Sequence, residues 1–464
     1  MSDSSYAEFL SSKRIEHKPS GFDPGDGLLN PNFAGDFIWQ NDLCRWSLRR
    51  GRAGVFPDTG LGKTIMQLVI ASEVVKHTGG RFLLLAPLAV SRQTLLEARK
   101  FSIDVPIKVC SDQIGVEDGI TITNYEKLHK FDPSEFFGVG LDEGSILKSI
   151  GGKTRDKLIG MFGRTPYRYV FTATPSPNDI MEVGSYCEFL GIMTREEMLA
   201  MFFTHDGGET SKWRLKRHAE KDFYRWMATW CVMISNPSDI GYDGSRFVLP
   251  PLNFHSHVVK CKPQDGYLFS VPDKTLHDQR KTRRATIDER VAVMSELVKG
   301  SKEPWSIWCQ LNDESKAAAA AIEGAKEITG SQKDYEKEQL LNDFTDGILK
   351  KVVTKSLIAG YGLNWQHCCK VGLLGIGHSY EQEYQLIRRH WRFGQKNEVD
   401  VHRVISDRDG GILENQERKH LQHQKLIRGM VEAVSEQTRL EICGATREVT
   451  EYHPQQKLEL PTWL

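Results

Sequence analysis

The sequence predicts an α/β fold of two parallel-sheet lobes in tandem, joined by an inter-lobe helical segment. From about Ala53 to Leu190, short apolar runs alternate with helical stretches, the pattern of a parallel sheet wrapped by helices. The alternation resumes at Trp305 (WSIWC), passes through KEITG, the amphipathic DYEKEQLLNDF, KVVT and KVGLLG, and ends with VDVHRVIS after Gln395. Between these regions, residues 191–250 are rich in aromatics and charge and finish at the Pro250-Pro251 break. The expected organisation is an N-terminal extension over 1–25, a first lobe over 26–190, an inter-lobe segment over 191–250, a second lobe over 251–430 and a tail over 431–464.

Each element has a local reason. Four apolar runs of the first region, Ala53 to Phe56, Phe82 to Ala86, Val139 to Leu141 and Tyr167 to Phe171, lead directly into polar or small-residue segments. Ligands of an open parallel sheet collect beyond the carboxyl ends of its strands, where these segments would sit. AGVF is followed by PDTGLGKT and then by a helical pattern in which Ile65, Leu68, Val69 and Val75 share a spacing before a Gly79 stop. In that strand-loop-helix context Gly60 and Gly62 let backbone N–H groups close on phosphate oxygens, Lys63 reaches the outer phosphates, and Thr64 offers a hydroxyl to Mg²⁺. Pro57 stands where the strict eight-residue phosphate-loop pattern has glycine.

Seventy-nine residues after Lys63, a short apolar run ends in Asp142-Glu143-Gly144-Ser145. Paired carboxylates at a strand end suit hydrolysis of a bound triphosphate, one holding a metal through its water shell and the other orienting and deprotonating the attacking water. Thirty residues further, YRYVF runs into Thr172-Ala173-Thr174-Pro175, whose hydroxyls are placed to link the acidic pair to whatever lies above the sheet. In the second region Ser379 opens a helix, with Gln382 three residues on, that the pattern carries to a stop at Gly394. On such a helix Gln385, Arg389 and Arg392, at i, i+4 and i+7, would share one face and point at one target. Upstream, Gly360-Tyr361-Gly362-Leu363-Asn364 is a glycine-rich turn able to bring backbone amides close to a phosphate or a DNA strand.

Length and composition bound the remainder. With 464 residues, 39% hydrophobic and 26% charged, the chain has ordinary globular composition and room for several domains. Sixty-one basic residues balance sixty-one acidic ones, so nucleic-acid contact must come from local patches. The longest apolar stretch, Phe82 to Val90, is nine residues, far short of the ~20 needed to cross a bilayer, so no membrane partner is expected. The N-terminus carries neither a secretory core nor a transit-peptide bias, which makes the cytoplasm the expected compartment. Nine cysteines occur without a CxxC pair and read as reduced core thiols.

In this order, WQ at 39–40, DTGLGKT, LAPLAV, TNYEKL, DEGS, TATPSPND, GYGLN and QLIRRHWRFGQ resemble the superfamily 2 helicases of DEAD/DEAH type. Within them the likeness is nearest to the Swi/Snf-like DNA-dependent ATPases, in the compact form carried by tailed phages. The resemblance covers roughly residues 30–410 and implies two RecA-like lobes with ATP in the cleft between them and nucleic acid across both. Carried over residue by residue, it implies that Gln40 reads the adenine edge and that Lys63 and Thr64, with Gly60, Gly62, Gly360 and Gly362, bind the nucleotide. Asp142 would hold Mg²⁺ with Thr64, and Glu143 would be the base. Thr172 and Thr174 would couple hydrolysis to the strand, Asn364 would serve in that coupling or in contact with the nucleic acid, and Arg389 and Arg392, with Gln385, would complete the site on closure. The ending Arg392-Phe393-Gly394-Gln395 resembles the Swi/Snf form, whereas DEAD-box RNA helicases typically end in Gly-Arg, which favours duplex DNA over RNA. Ser145 replaces the histidine common at the fourth position of the acidic motif.

Two basic stretches are further candidates. Lys212, Arg214, Lys216, Arg217 and Arg225 are interleaved with Trp213, Tyr224 and Trp226, and Arg280, Lys281, Arg283 and Arg284 cluster in the other lobe. Acidic neighbours dilute the first stretch, and a solvated helix packed on its tryptophans is the plainer expectation. Two readings follow: an ATP-driven DNA translocase or helicase, monomeric in the host cytoplasm and recruited by an unknown protein, or a nucleotide-switched clamp on DNA or protein with little net travel.

Overall fold

The computed structural model describes residues 19–433 apart from 88–90, 149–151, 177, 207–208, 262–275, 357, 359–363 and 378, together with 439 and 442. Its first lobe is built on strands β1 (Arg52–Pro57), β2 (Arg81–Leu85), β3 (Ile107–Val109), β4 (Ile120–Thr123), β5 (Phe136–Asp142) and β6 (Tyr167–Phe171). A small antiparallel hairpin follows, β7 (Phe203–Asp206) with β8 (Glu209–Leu215), and then β9 (Cys231–Ile234). The second lobe carries β10 (Leu252–Val259), β11 (Trp305–Cys309), β12 (Ala325–Glu327), β13 (Lys351–Lys355), β14 (Lys370–Leu374) and β15 (Val399–Ser406).

Both large sheets are wholly parallel, in the orders β3-β4-β2-β5-β6-β1-β9 and β10-β15-β14-β11-β13-β12. This is the tandem parallel-sheet fold that the alternation of apolar runs and helices predicts. Central strands such as β1 and β6 are buried along nearly their whole length, as expected of parallel strands covered by helices on both faces. The order makes β5, β6 and β1 neighbours, with Asp142 opposite Phe171 and Phe171 opposite Val55. The carboxyl ends of those three strands therefore bring the acidic pair, the threonines and the glycine loop side by side.

The lobe boundary differs from the expectation at residue 190. The segment 191–250 supplies two helices (Arg195–Phe202 and Glu220–Ala228) and the hairpin, and its β9 pairs with β1 from Gly54 opposite Cys231 to Pro57 opposite Ile234. The first sheet thus runs through this segment. A four-residue strand following a helix carries no periodicity of its own, and only its non-local partner reveals it. The second lobe's end differs as well, because the helix Gly410–Ala433 returns to the first lobe. Its Leu426 and Met430 are buried in one cluster with Tyr224, Trp226, Met227 and Trp230. Met430→Ala is expected to destabilise that lobe by about 2–5 kcal/mol, the usual cost of truncating a buried side chain. Urea unfolding followed by tryptophan fluorescence reads this, and an unmoved transition would contradict the docking.

The same packing accounts for the first basic stretch. Tyr224 and Trp226 are buried, and Lys216 Nζ donates to the carbonyls of Ala200 (3.0 Å) and Met201 (2.9 Å) at a helix end. That agrees with the plainer expectation for Glu220–Ala228, a helix packed on its aromatics, whereas Lys212, Trp213 and Arg214 lie on the strand β8. In the second cluster Arg283 is buried and donates to the Ile376 carbonyl, while Arg280, Lys281 and Arg284 are exposed. Seven of the eight described cysteines are buried and all eight are free, as expected of core thiols. Among the described residues no helix is long and apolar enough to cross a membrane.

Candidate active site in the inter-lobe cleft

The glycine loop takes the shape that its composition allows. Gly60 and Gly62 sit at φ +92° and +77°, a region L side chains rarely adopt. A Cβ on Gly60 would lie 2.9 Å from the Phe393 backbone nitrogen of the other lobe, and one on Gly62 would strike the Gln40 carboxamide. The loop therefore accepts no bulk on either side. It delivers Lys63 to the first turn of the helix Lys63–Thr78, which ends on Gly79 in the left-handed conformation, as expected. Lys63 Nζ donates to the Pro57 carbonyl at 3.2 Å. Burial pushes its ammonium below the ordinary value, against the pull of Glu143, Asp58 and Asp142. A cation held this way favours an arriving polyanion.

The acidic pair is fixed from three sides. Gln67 Nε2 donates to Asp142 Oδ1 at 2.7 Å, and Tyr125 Oη donates to the Asp142 carbonyl at 2.6 Å. Burial pushes the Asp142 carboxyl above its ordinary value, with the Gln67 bond and Lys63 opposing. Glu143 has φ +53°, a left-handed conformation uncommon outside glycine, and such local strain concentrates at functional sites. Thr172 Oγ1 donates to Glu143 Oε1 at 2.8 Å and accepts from the Thr174 backbone N–H at 3.1 Å. Thr174 Oγ1 then donates to Glu381 Oε1 of the second lobe at 3.2 Å, and Gln385 Nε2 donates to the same oxygen at 3.4 Å. A continuous hydrogen-bonded chain so joins Glu143 to the other lobe through the two threonines.

The second lobe's contribution departs from the expected helix. Ser379 accepts from the Gln382 N–H as its cap, but the helix spans only Tyr380–Ile387. Beyond it His390 is buried, its Nε2 3.0 Å from Ser306 Oγ and its Nδ1 3.1 Å from the Cys368 carbonyl. Trp391 Nε1 donates to the Pro250 carbonyl at 2.6 Å. These anchors draw the chain out of helical geometry before Gly394, so Gln385, Arg389 and Arg392 are not three positions of one helix face. Turns bring all three to the same cleft. The face that the helix does turn to the first lobe holds Glu381, Tyr384 and Gln385, continued by Arg388.

Burial pushes the His390 imidazole down to about 3. An unfolded histidine gains its proton near pH 6.5, so the native state loses stability relative to the unfolded chain as pH falls from about 6.5 towards 3. His390→Gln is expected to shallow that loss below pH 6.5 while leaving the profile above it flat. Urea midpoints across pH 5–8 read the difference, and parallel profiles would contradict it.

Gln40, Gly60, Gly62, Lys63, Thr64, Asp142, Glu143, Asn364, Gln385, Arg389 and Arg392 all line one cleft between the lobes, a cavity of about 530 Å³. Thr172 and Thr174 are fully buried behind Glu143, and Gly360 and Gly362 lie outside the described residues. Asn364, expected as a contact to the strand, opens into this cleft. Gln40 is buried, and its Nε2 donates to the Leu61 carbonyl at 2.9 Å, bracing the loop. Arg389 lies beside the Trp308 ring, 5.9 Å from its centroid. Burial holds the Arg392 guanidinium below its ordinary value, with Glu97 pulling the other way.

Sequence reasoning missed Asp58, Glu381, Tyr384 and Arg388. No family model and no curated protein matches the chain. Among solved structures it is similar to the Sulfolobus solfataricus SWI2/SNF2 ATPase core in complex with dsDNA, at 16% identity over 91% of this chain and 98% of that one, with a TM-score of 0.41. At so low a similarity the chemistry must come from the cleft's own residues.

The cavity's size suits a small ligand, whose sites span about 300–1,000 Å³. The cleft holds a lysine, a helix N-terminus and two arginines, groups suited to phosphates, and Asp142 and Thr64, hard oxygen donors suited to a divalent cation. Phe37, Phe247 and Phe393 add apolar walls to the same cleft.

Proposed function

We propose that this chain is a DNA-dependent ATPase of the Swi/Snf-like superfamily 2 type, an ATP-driven translocase or helicase on duplex DNA. The supporting observation is that one cleft gathers Lys63, Asp142 and Glu143 from the first lobe with Gln385, Arg389 and Arg392 from the second. Neither lobe alone holds both sets. A site divided in this way favours hydrolysis when the lobes approach, and so ties each turnover to a relative movement of the lobes.

In this reading Lys63 and the loop amides bind the β and γ phosphates, and Gln40 meets the base. Thr64 and Asp142 hold Mg²⁺, which neutralises phosphate charge when bound. Glu143, oriented by Thr172, accepts the proton of the attacking water, and Arg389 and Arg392 stabilise the charge that develops on the transferred phosphoryl group. The chain Glu143–Thr172–Thr174–Glu381 carries the state of the site to the second lobe.

Displacement of a third strand from a triplex tests the motor. A protein tracking along the duplex releases that strand only with hydrolysable ATP. A nucleotide-switched clamp binds the DNA and releases nothing, and that outcome would overturn translocation.

A further inference from the structure

The glycine loop and the second lobe also meet through a cluster of side chains bonded to one another. Tyr384 Oη donates to Asp58 Oδ1 at 2.5 Å, and Arg388 Nη2 donates to Asp58 Oδ2 at 2.6 Å and to the Thr59 carbonyl at 2.7 Å. The Arg388 side chain is 3% exposed and that of Asp58 15%. Asp58 is itself held by its N–H, which donates to the Ile234 carbonyl at 2.9 Å, and by accepting from the Thr59 N–H at 2.6 Å. Tyr384, on the last turn of the helix, and Arg388, its C-cap four residues on, reach the same target. Arg388 borders both the large cleft and a smaller cavity of about 260 Å³, lined also by Ser235, Val248 and Trp391.

We infer that Asp58, Tyr384 and Arg388 form an inter-lobe latch that holds the cleft closed without nucleotide, and that Arg388 is a positioning residue and not a phosphate ligand. Its guanidinium already has a carboxylate and a carbonyl at hydrogen-bond distance, both from the loop that would cradle phosphate. The pair is nearly dry, which makes removal of one partner far costlier than at the surface. Through Asp58 the second lobe grips the root of the glycine loop, and through Arg388 it fixes the start of the turn that carries Arg389 and Arg392. The role in turnover rests on the proposed ATPase reading; the mechanical role does not.

Distance measurement on the full chain separates the two. Probes at Ile114 and Ile348, 96% and 74% exposed on the first and second lobes, report lobe separation without nucleotide. The wild type is expected to give one narrow, short distance. Tyr384→Phe, which deletes a single hydroxyl, should raise the open fraction about tenfold, as loss of a hydrogen bond to a charged group implies. Asp58→Asn and Arg388→Met should each raise it further, and the double variant should exceed neither, as expected of partners in one contact. With ATP, Arg388→Met should lower kcat more than tenfold and leave KM within about threefold, because the lost contact orients groups and does not bind substrate. Unchanged distances in all variants would overturn the latch, as would additive effects of the two single changes. A rise in KM with kcat intact would make Arg388 a phosphate ligand. Distances that shift as expected in a protein without ATPase activity would sustain the latch and refute the functional reading alone.

Discussion

Arg392→Ala and Arg389→Ala are each expected to lower ATP turnover by about 10³–10⁵-fold while leaving ATP affinity little changed, the loss seen when an arginine finger is removed. Both side chains line the cleft that holds Lys63 and Glu143, yet both come from the opposite lobe. In the proposed mechanism their charge would meet the phosphoryl group when the lobes are together, and they would contribute to the transition state more than to the ground state. Burial already holds the Arg392 guanidinium below its ordinary value, and an approaching anion relieves that cost. Steady-state kinetics with a parallel binding titration separates the cases, and an equal loss of binding would make these arginines structural.

Glu143→Gln is expected to lower turnover by about 10²–10⁴-fold, the contribution of a positioned general base, with ATP still bound. The amide keeps the side chain's shape, and its oxygen still accepts from Thr172 Oγ1. Only basicity is lost. Glu143 stands in the left-handed region at φ +53°, a conformation in which glycine is at ease. Its backbone cost is consistent with a position kept for chemistry and not for folding. An active Glu143→Gln enzyme would sink the base assignment.

How much of this was legible in the sequence depends on how local each signal is. The apolar runs before Pro57, Asp142 and Thr172 became β1, β5 and β6, because a strand followed by a glycine loop or a polar turn is written in adjacent residues. Their side-by-side placement follows from the sheet order, which no local pattern records. The arginine segment shows the opposite case. Helical spacing selected Gln385, Arg389 and Arg392, but His390 and Trp391 are tied to Ser306, Cys368 and Pro250. Those non-local bonds end the helix at Ile387. The spacing of Glu381, Tyr384, Gln385 and Arg388 was equally visible, yet nothing adjacent marked Asp58 as its target 330 residues from Arg388. The strand β9 and the docking of the helix Gly410–Ala433 on the first lobe were illegible for the same reason, since each is defined by a partner in a distant part of the chain.

In the proposed function, two lobes of one chain assemble a site that hydrolyses ATP in response to DNA. Steady-state ATP hydrolysis by the purified protein, alone and with duplex DNA, single-stranded DNA or RNA, tests it most directly, with Lys63→Ala to exclude contaminating activity. Strong stimulation by duplex DNA, abolished by Lys63→Ala, is the predicted result. Stimulation by RNA alone would contradict the substrate, and hydrolysis that survives Lys63→Ala would contradict the site.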